Sequence, residues 1–463
     1  MKTYQDLLKI PENDADRMEF VLSVIREHEA SDIFQTAVLA DEYDRKQNRT
    51  IVSYQKLLYT ITGQAVPDNY SANYKITSGF FNRFVTQQNQ FLLGNGITWE
   101  KPDTDERLGD DFDIKLQEAG KAALVGAVSF GFWNNNHLEV FKVTEFAPLM
   151  DEENGSVRAG VRFWQIDSSK PLRATLYEEN GYTEYIWEKD NDNRDAAGRV
   201  LQPKRAYIEV VQTSVADGTQ IIDYRNYPGF PIVPLWGNPH HQSEIVGIRE
   251  QIDAYDLIKS GFANDLDDAS QIYWTIQNAG GMDDIDLVKF VERMKTVKAA
   301  VVDDSGSTAE AHTMEVPFNS REALLDRLEK DLYKDFMAFN PAEIVAGAAT
   351  ATQIKAAYEP INNKADQYEY CIHEFLQEIL KLAGIDDHPT FTRSMMINAQ
   401  EELQSISMVA QYLSRNYLTQ KILTLLGDGD QVENVLKELD ETDYTRMSAG
   451  TEEEEPIEEP IEE

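Results

Sequence analysis

Residues 243–266 read SEIVGIREQIDAYDLIKSGFANDL, and their spacing decides the architecture. Ile245, Ile248, Ile252, Tyr255, Ile258, Phe262 and Leu266, continued by Ala269, recur at steps of three or four, the period of one helix face. A helix of about 25 residues spans roughly 38 Å at 1.5 Å per residue. The apolar seam is narrow and the remaining faces are acidic, so the segment 244–270 reads as a strut rather than a core helix.

The following segments are read outward from that strut. Residues 271–318 form a small mixed unit, with a helix expected over Asp284–Lys295 and strands over Val297–Val302 and Thr313–Val316. A return helix, 319–339, carries Leu325, Leu328, Leu332 and Phe336 on its seam, and Asn319 with Glu322 matches a capping box. Pro341 stops it, and the Gly/Ala-rich stretch 340–350 reads as a loop. Next, 351–385 reads as one helix that Thr350 or Thr352 can cap, kinked by Pro360 and ended by Gly384. Helical stretches over Asn398–Leu426 and Gln431–Leu439 follow. The tail 447–463 holds eight glutamates, two prolines and no basic residue, a composition expected to be disordered.

Upstream, helices are expected over Glu12–His28, Asn73–Leu93 and Leu116–Val128. Short alternating segments then read as strands: Leu138–Phe141, Arg158–Trp164, Ala174–Tyr177, Thr183–Trp187 and Ala206–Val211. Turn signals at Asn154-Gly155, Asn180-Gly181 and Asp217-Gly218 favour a meander of hairpins over parallel crossovers. A boundary is placed at Asn238–Ser243. The fold class is therefore α+β, mainly helical.

The 463 residues carry 43 Lys plus Arg against 81 Asp plus Glu, a formal charge of −38. Such a surface argues against wrapping nucleic acid or anionic lipid by charge attraction. The lone cysteine, Cys371, forms no internal disulfide and suits a reducing compartment. With no apolar leader and no run of about 18 apolar residues, the expectation is a soluble, intracellular chain without a membrane partner.

No phosphate-binding loop, paired metal cysteines, His-Glu-x-x-His or nucleophile elbow occurs, so neither a catalytic residue, a metal nor a cofactor is assigned. Cys371 and His373 read as a core thiol and a surface imidazole, and the His240-His241 pair as incidental. The cluster Asp265, Asp267 and Asp268 spreads around a helix and reads as an acidic surface.

Five stretches, in this order and spacing, resemble the portal proteins of long-tailed double-stranded DNA bacteriophages, of the type found in a Bacillus siphophage. They are 73–96 (NYKITSGFFNRFVTQQNQFLLGNG), 126–133 (GAVSFGFW) with 158–164, 243–266, 340–358, and 390–404 (TFTRSMMINAQEELQ). The resemblance covers nearly the whole chain. It implies a ring of about twelve copies around a DNA channel at one capsid vertex of the virion, assembled in the host cytoplasm. It implies a wing over 1–243, stem helices over 244–270 and 319–339, a clip over 271–318, a tunnel loop over 340–350, a wing-crossing helix over 351–385 and a crown over 386–446. The loop residues are Asn340, Glu343, Ile344, Val345, Ala346, Gly347, Ala348 and Thr350. Implied partners are the terminase large subunit, a head-completion or adaptor protein, the major capsid and scaffolding proteins, and the double-stranded DNA in transit.

The acidic charge fits a channel whose wall repels phosphates. On the stem, the return helix places Arg327, Lys330 and Lys334 at steps of three and four, a basic stripe that either meets acids such as Asp253 and Asp256 of a neighbouring copy or faces solvent or the channel. Two other readings stand beside this one. A two-domain acidic carbohydrate-active enzyme would use paired carboxylates, and an acidic adhesin or scaffold would have no central hole.

Overall fold

The computed structural model describes residues 2–11, 13–59, 63–68, 71–188, 198–213, 220–269, 273–277, 308–312, 318–342, 351–394, 406, 408–426, 432 and 434–439. Helices α1 (Tyr4–Lys9), α2 (Asp14–Glu29), α3 (Asp32–Asp44) and α4 (Arg49–Ser53) lead into a hairpin of β1 (Leu57–Tyr59) and β2 (Ala65–Pro67). Then come α5 (Phe80–Leu93), β3 (Ile97–Trp99), α6 (Thr104–Leu108) and α7 (Phe112–Gly126). Ten strands follow: β4 (Val128–Asn134), β5 (His137–Lys142), β6 (Phe146–Met150), β7 (Val157–Trp164), β8 (Leu172–Glu178), β9 (Gly181–Trp187), β10 (Arg199–Arg205), β11 (Ile208–Thr213), β12 (Gln220–Arg225) and β13 (Ile232–Trp236). The rest comprises α8 (Arg249–Ala269), β14 (Tyr273–Gln277), β15 (Thr308–His312), α9 (Phe318–Phe336), α10 (Ala351–Ala383), β16 (Pro389–Phe391) and α11 (Arg415–Leu426).

The chain forms two compact units, one of Met1–Phe339 with Pro360–Ser394, the other of Asn340–Glu359 with Met395–Glu463. The division falls at Pro360, inside α10.

In the first unit β6 to β10 form an antiparallel meander in the order β10-β9-β8-β7-β6, and β4 pairs with both β5 and β13. Alternation sets the two faces of the meander. Val161, Phe163, Ala174 and Leu176 pack against Phe20, Val21, Val24 and Ile25 of α2, which recur at helical spacing. Asn13 starts α2 by accepting a bond from Asp16 N at 2.9 Å.

The largest core gathers α5, α7, α8, α9 and α10. Phe84 of α5 stacks on Phe336 with centroids 4.8 Å apart and meets Tyr333 edge-on at 5.0 Å. Phe81, Leu116, Ile252, Ile372 and Phe375 fill the remainder. Where α5, α7 and α10 cross, Gly120 leaves room for the Tyr368 hydroxyl, which donates to Asn89 Oδ1 at 2.8 Å.

The structure departs from the sequence reading at several places. The helix expected from Asn73 begins at Phe80, and the preceding residues are extended. The third helix runs from Phe112 and ends at Gly126, because Ala127 takes a left-handed turn (φ 74°) into β4. The sequence reading lacks strands β1–β4, β6, β10 and β12–β16, and the Ala206–Val211 strand is shifted to Ile208–Thr213. The strut helix starts at Arg249, after Gly247 at φ 91°. Asn319 lies inside α9, which begins at Phe318, so the capping box is not placed where expected. The helix Asp284–Lys295, the strands Val297–Val302 and Thr313–Val316, residues Glu343–Thr350 and the acidic tail lie outside the described residues.

A Cβ at position 120 would sit 2.1 Å from the Tyr368 hydroxyl oxygen. Gly120→Ala should therefore overpack this helix crossing and lower unfolding free energy by about 1–3 kcal/mol in a denaturant titration.

Candidate functional site: the long helix pair and its anchor

Helices α8 and α9 form an antiparallel pair. Gln251 Nε2 donates to Asp335, and Arg321 pairs with Asp265 at 2.5 Å. Fourteen residues along one helix thus match fourteen back along the other. Strands β14 and β15 are also antiparallel, with Tyr273 opposite His312 and Gln277 opposite Thr308. In sequence the ribbon lies between the two helices. Phe262 packs edge-on against Phe318 at 5.6 Å, and the Arg321 guanidinium lies 5.9 Å from the Phe262 ring.

A second feature anchors α8. Asp256, Ser260 and Asn264 recur every four residues and are buried, at 0%, 6% and 8% exposure. The extended residues 74–78 run alongside. Ser78 N donates to Asp256 Oδ1 at 2.9 Å, Ile76 N to Ser260 Oγ at 3.0 Å, and Tyr74 N to Asn264 Oδ1 at 2.6 Å. Four helical residues advance about 6 Å and two extended residues about 6.6 Å, so one ladder meets every second N–H of the other.

Asp256 also accepts from Asn48 Nδ2 at 3.0 Å. Burial raises its carboxyl above the usual carboxylate value despite these donors. Asp253, one turn earlier, accepts from the hydroxyls of Tyr43 at 2.5 Å and Thr50 at 3.0 Å. Burial pushes Tyr43 up to about 12, helped by Asp253.

The base of the pair is locked by a buried ion pair. Lys364 of α10 meets Glu244 at 2.6 Å, donates to Phe336 O at 3.0 Å, and its ammonium lies 3.2 Å from the Phe336 ring centroid. Burial lowers the Lys364 pKa, and Glu244 opposes that shift.

The sequence-assigned residues divide as follows. Asp256 is fully buried in its own chain, which corrects its assignment to a neighbouring copy, while Asp253 is half-buried and accepts from its own chain's hydroxyls. Arg327, Lys330 and Lys334 are exposed on α9, with Arg327 3.4 Å from Asp331. Asn340 accepts from Ala342 N at 3.1 Å; Glu343, Ile344, Val345, Ala346, Gly347, Ala348 and Thr350 lie outside the described residues. Cys371 is buried, and burial raises its thiol to about 11, while His373 is half-buried rather than on the surface. His241 stacks on Trp236 at 3.9 Å. Among the described residues no His, Cys, Asp and Glu cluster is placed to hold a metal, and no helix is long and apolar enough to cross a membrane.

The ladder itself escaped sequence reading, although polar residues at 256, 260 and 264 on a helix were its available signal. Asp256→Ala should strand two buried donors and cost about 3 kcal/mol. A carboxyl raised by folding gives stability that is full below its unfolded value, near 4, and is lost as pH rises through the folded value. Asp256→Asn should remove that pH dependence, as read by denaturant titrations across the acidic range.

Residues 22–444 match the family described as Phage portal protein, SPP1 Gp6-like. The portal protein of Bacillus phage SPP1 is 24% identical over 385 residues, covering 76% of this chain and 73% of its own length. The portal protein of Clostridium phage phiCD119 is 27% identical over 232 residues, covering 45% of this chain. The matched region spans about half, 51%, of that relative's length. A chain from the neck of an empty gene transfer agent particle is similar at 12% identity with a TM-score of 0.42, over 75% of this chain and 90% of that one. The family match over residues 22–444 makes this chain a member of the SPP1 Gp6-like phage portal proteins.

Proposed function

We propose that the chain is a non-enzymatic portal subunit that closes with about eleven further copies into a ring, through which double-stranded DNA is packaged and later ejected. The observation that carries this reading is the antiparallel pair of α8 and α9, with the antiparallel ribbon of β14 and β15 lying between them in sequence, in a chain of the portal family. The helix pair is the stem. Residues 271–318 are the clip, which docks the terminase large subunit and then a head-completion protein. The wing is 1–243 with the 351–385 helix, the crown 386–446 and the tunnel loop 340–350. Capsid and scaffolding proteins surround the ring at one vertex of the virion. Family membership favours this reading over the carbohydrate-active enzyme.

The electrostatics suit transit. Helix α8 carries six acids against Arg249 and Lys259, and the whole chain is at −38. Such a wall repels phosphates, whereas a basic one would hold DNA by releasing many counterions. On α9 the exposed Arg327, Lys330 and Lys334 face the neighbouring copy's exposed acids, such as Glu250. Exposed pairs of this kind contribute about 0.2–1 kcal/mol each, and repetition around a closed ring multiplies them.

Negative-stain images and native mass spectrometry should show a ring with a central hole and about twelve copies; a monomer in both would overturn the proposal. Reversing Arg327, Lys330 and Lys334 to glutamate should weaken ring assembly most at low salt, where pairing is least screened. Assembly like the parent at every ionic strength would exclude that contact. Replacing Val345 and Ala346 with lysine should slow DNA packaging with ring assembly intact, and unchanged packaging would count against the loop's place in the channel.

A further inference from the structure

Between the outward face of the β6–β10 meander and the strands β4 and β5 lies a cleft of about 350 Å³. Its lining differs from the rest of this acidic chain. Strand register places Arg162 opposite Thr175 and Thr175 opposite Glu184, and one pair further along Trp164 opposite Arg173. Arg162 is compensated: it lies 3.7 Å from Glu139, and its guanidinium sits 4.2 Å from the Phe141 centroid and 5.2 Å from that of Trp164. Arg205 is likewise held by Glu184 at 3.0 Å and by the Tyr182 ring at 4.7 Å.

Arg173 is different. It is exposed, lines the cleft, and has no ion pair or side-chain hydrogen bond among the described residues. Beside it the Thr175 hydroxyl, on a residue only 5% exposed, likewise has no partner there. An unpaired cation and an adjacent unpaired hydroxyl that opens into the cleft can together accept an anion, through one charge-assisted and one neutral hydrogen bond. The lining includes the exposed Trp164, and Ile166, two residues further along the chain, is 87% exposed.

We propose that this cleft binds a short acidic and apolar peptide segment of a partner protein, with a carboxylate on Arg173 and Thr175 and an apolar side chain on Trp164 and Ile166. A peptide fits better than nucleic acid for two reasons. The volume admits one or two side chains rather than a strand, and one uncompensated cation in a chain of −38 does not hold a polyanion. This surface is remote in sequence from the helix hairpin, and the proposal does not depend on ring formation.

The test is fluorescence anisotropy with the full chain and a fluorescein-labelled Glu-Ile-Glu-Ile-Glu peptide. Saturable binding is expected, about tenfold weaker for the Gln-Ile-Gln-Ile-Gln peptide and for Arg173→Ala, since one charge-assisted bond is worth about that factor. Thr175→Val, which keeps the shape, should weaken binding severalfold. Both variants should melt like the parent. The proposal is overturned if the acidic peptide does not saturate, or if Arg173→Ala binds it as the parent does. It is also overturned if a 20-nucleotide oligothymidylate binds more tightly at the same site, which would make the cleft a nucleic-acid surface.

Discussion

A backbone laid in extended form against a helix has no sheet neighbour to take its N–H groups, and burying them unpaired costs about 1–3 kcal/mol each. Here Asp256, Ser260 and Asn264 supply the missing acceptors from within α8. The segment before α5 is thereby tied to the long helix over a span of eight helical residues. That tie determines where α5 enters the core, and α5 in turn supplies Phe80 and Phe84, which contact Tyr255, Tyr333 and Phe336 on the helix pair. Beside the ladder, the helix pair is tied to the rest of its unit by the Tyr43 and Thr50 bonds to Asp253, the Arg83 bond to the Tyr333 hydroxyl and the Lys364 contacts.

The opposite end of the same assembly depends on one buried charge pair. Lys364 and Glu244 are both largely removed from water, and removing one partner of such a pair is usually more damaging than replacing both. Lys364 additionally binds the carbonyl of Phe336 and covers its ring, so the α9 terminus, the start of the α8 region and α10 converge on one ammonium group. A hairpin held at its base by a buried ion pair and along its flank by a hydrogen-bond ladder can project its far end as a rigid arm.

Charge has different meanings on different surfaces of this molecule. Of the acids on α8, Asp253 and Asp256 are spent on internal bonding and Asp265 on the helix partner Arg321. Only the remainder contributes to an outward field. The arginines of the meander are mostly matched by Glu139, Glu184 and Glu188, so the lining of the inter-sheet cleft is balanced in charge and Arg173 is its cation without a partner among the described residues. Net charge alone does not separate these roles.

Several features were legible because they depend on local periodicity. The seam from Ile245 to Leu266, the alternation of β7 to β9, the stop at Gly384 and the family resemblance all follow from residue type and spacing. Strand β4 does alternate, Val128, Phe130 and Phe132 against Ser129 and Gly131, but it follows α7 after a single left-handed residue, so the helical period runs up to it with no turn signal to mark its start. The extended run before Phe80 had helical composition, but its N–H groups are claimed by a helix nearly two hundred residues away. Asp253 and Asp256 looked like surface charge for the same reason: the partners that bury them, Tyr43, Asn48, Thr50 and Ser78, are distant in sequence. By itself the sequence determined the helix pair, the hairpin meander and the acidic balance, since these are properties of neighbouring residues. Tertiary structure alone decided which polar side chains are sealed inside and which remain available, because desolvation depends on what the fold brings from elsewhere in the chain.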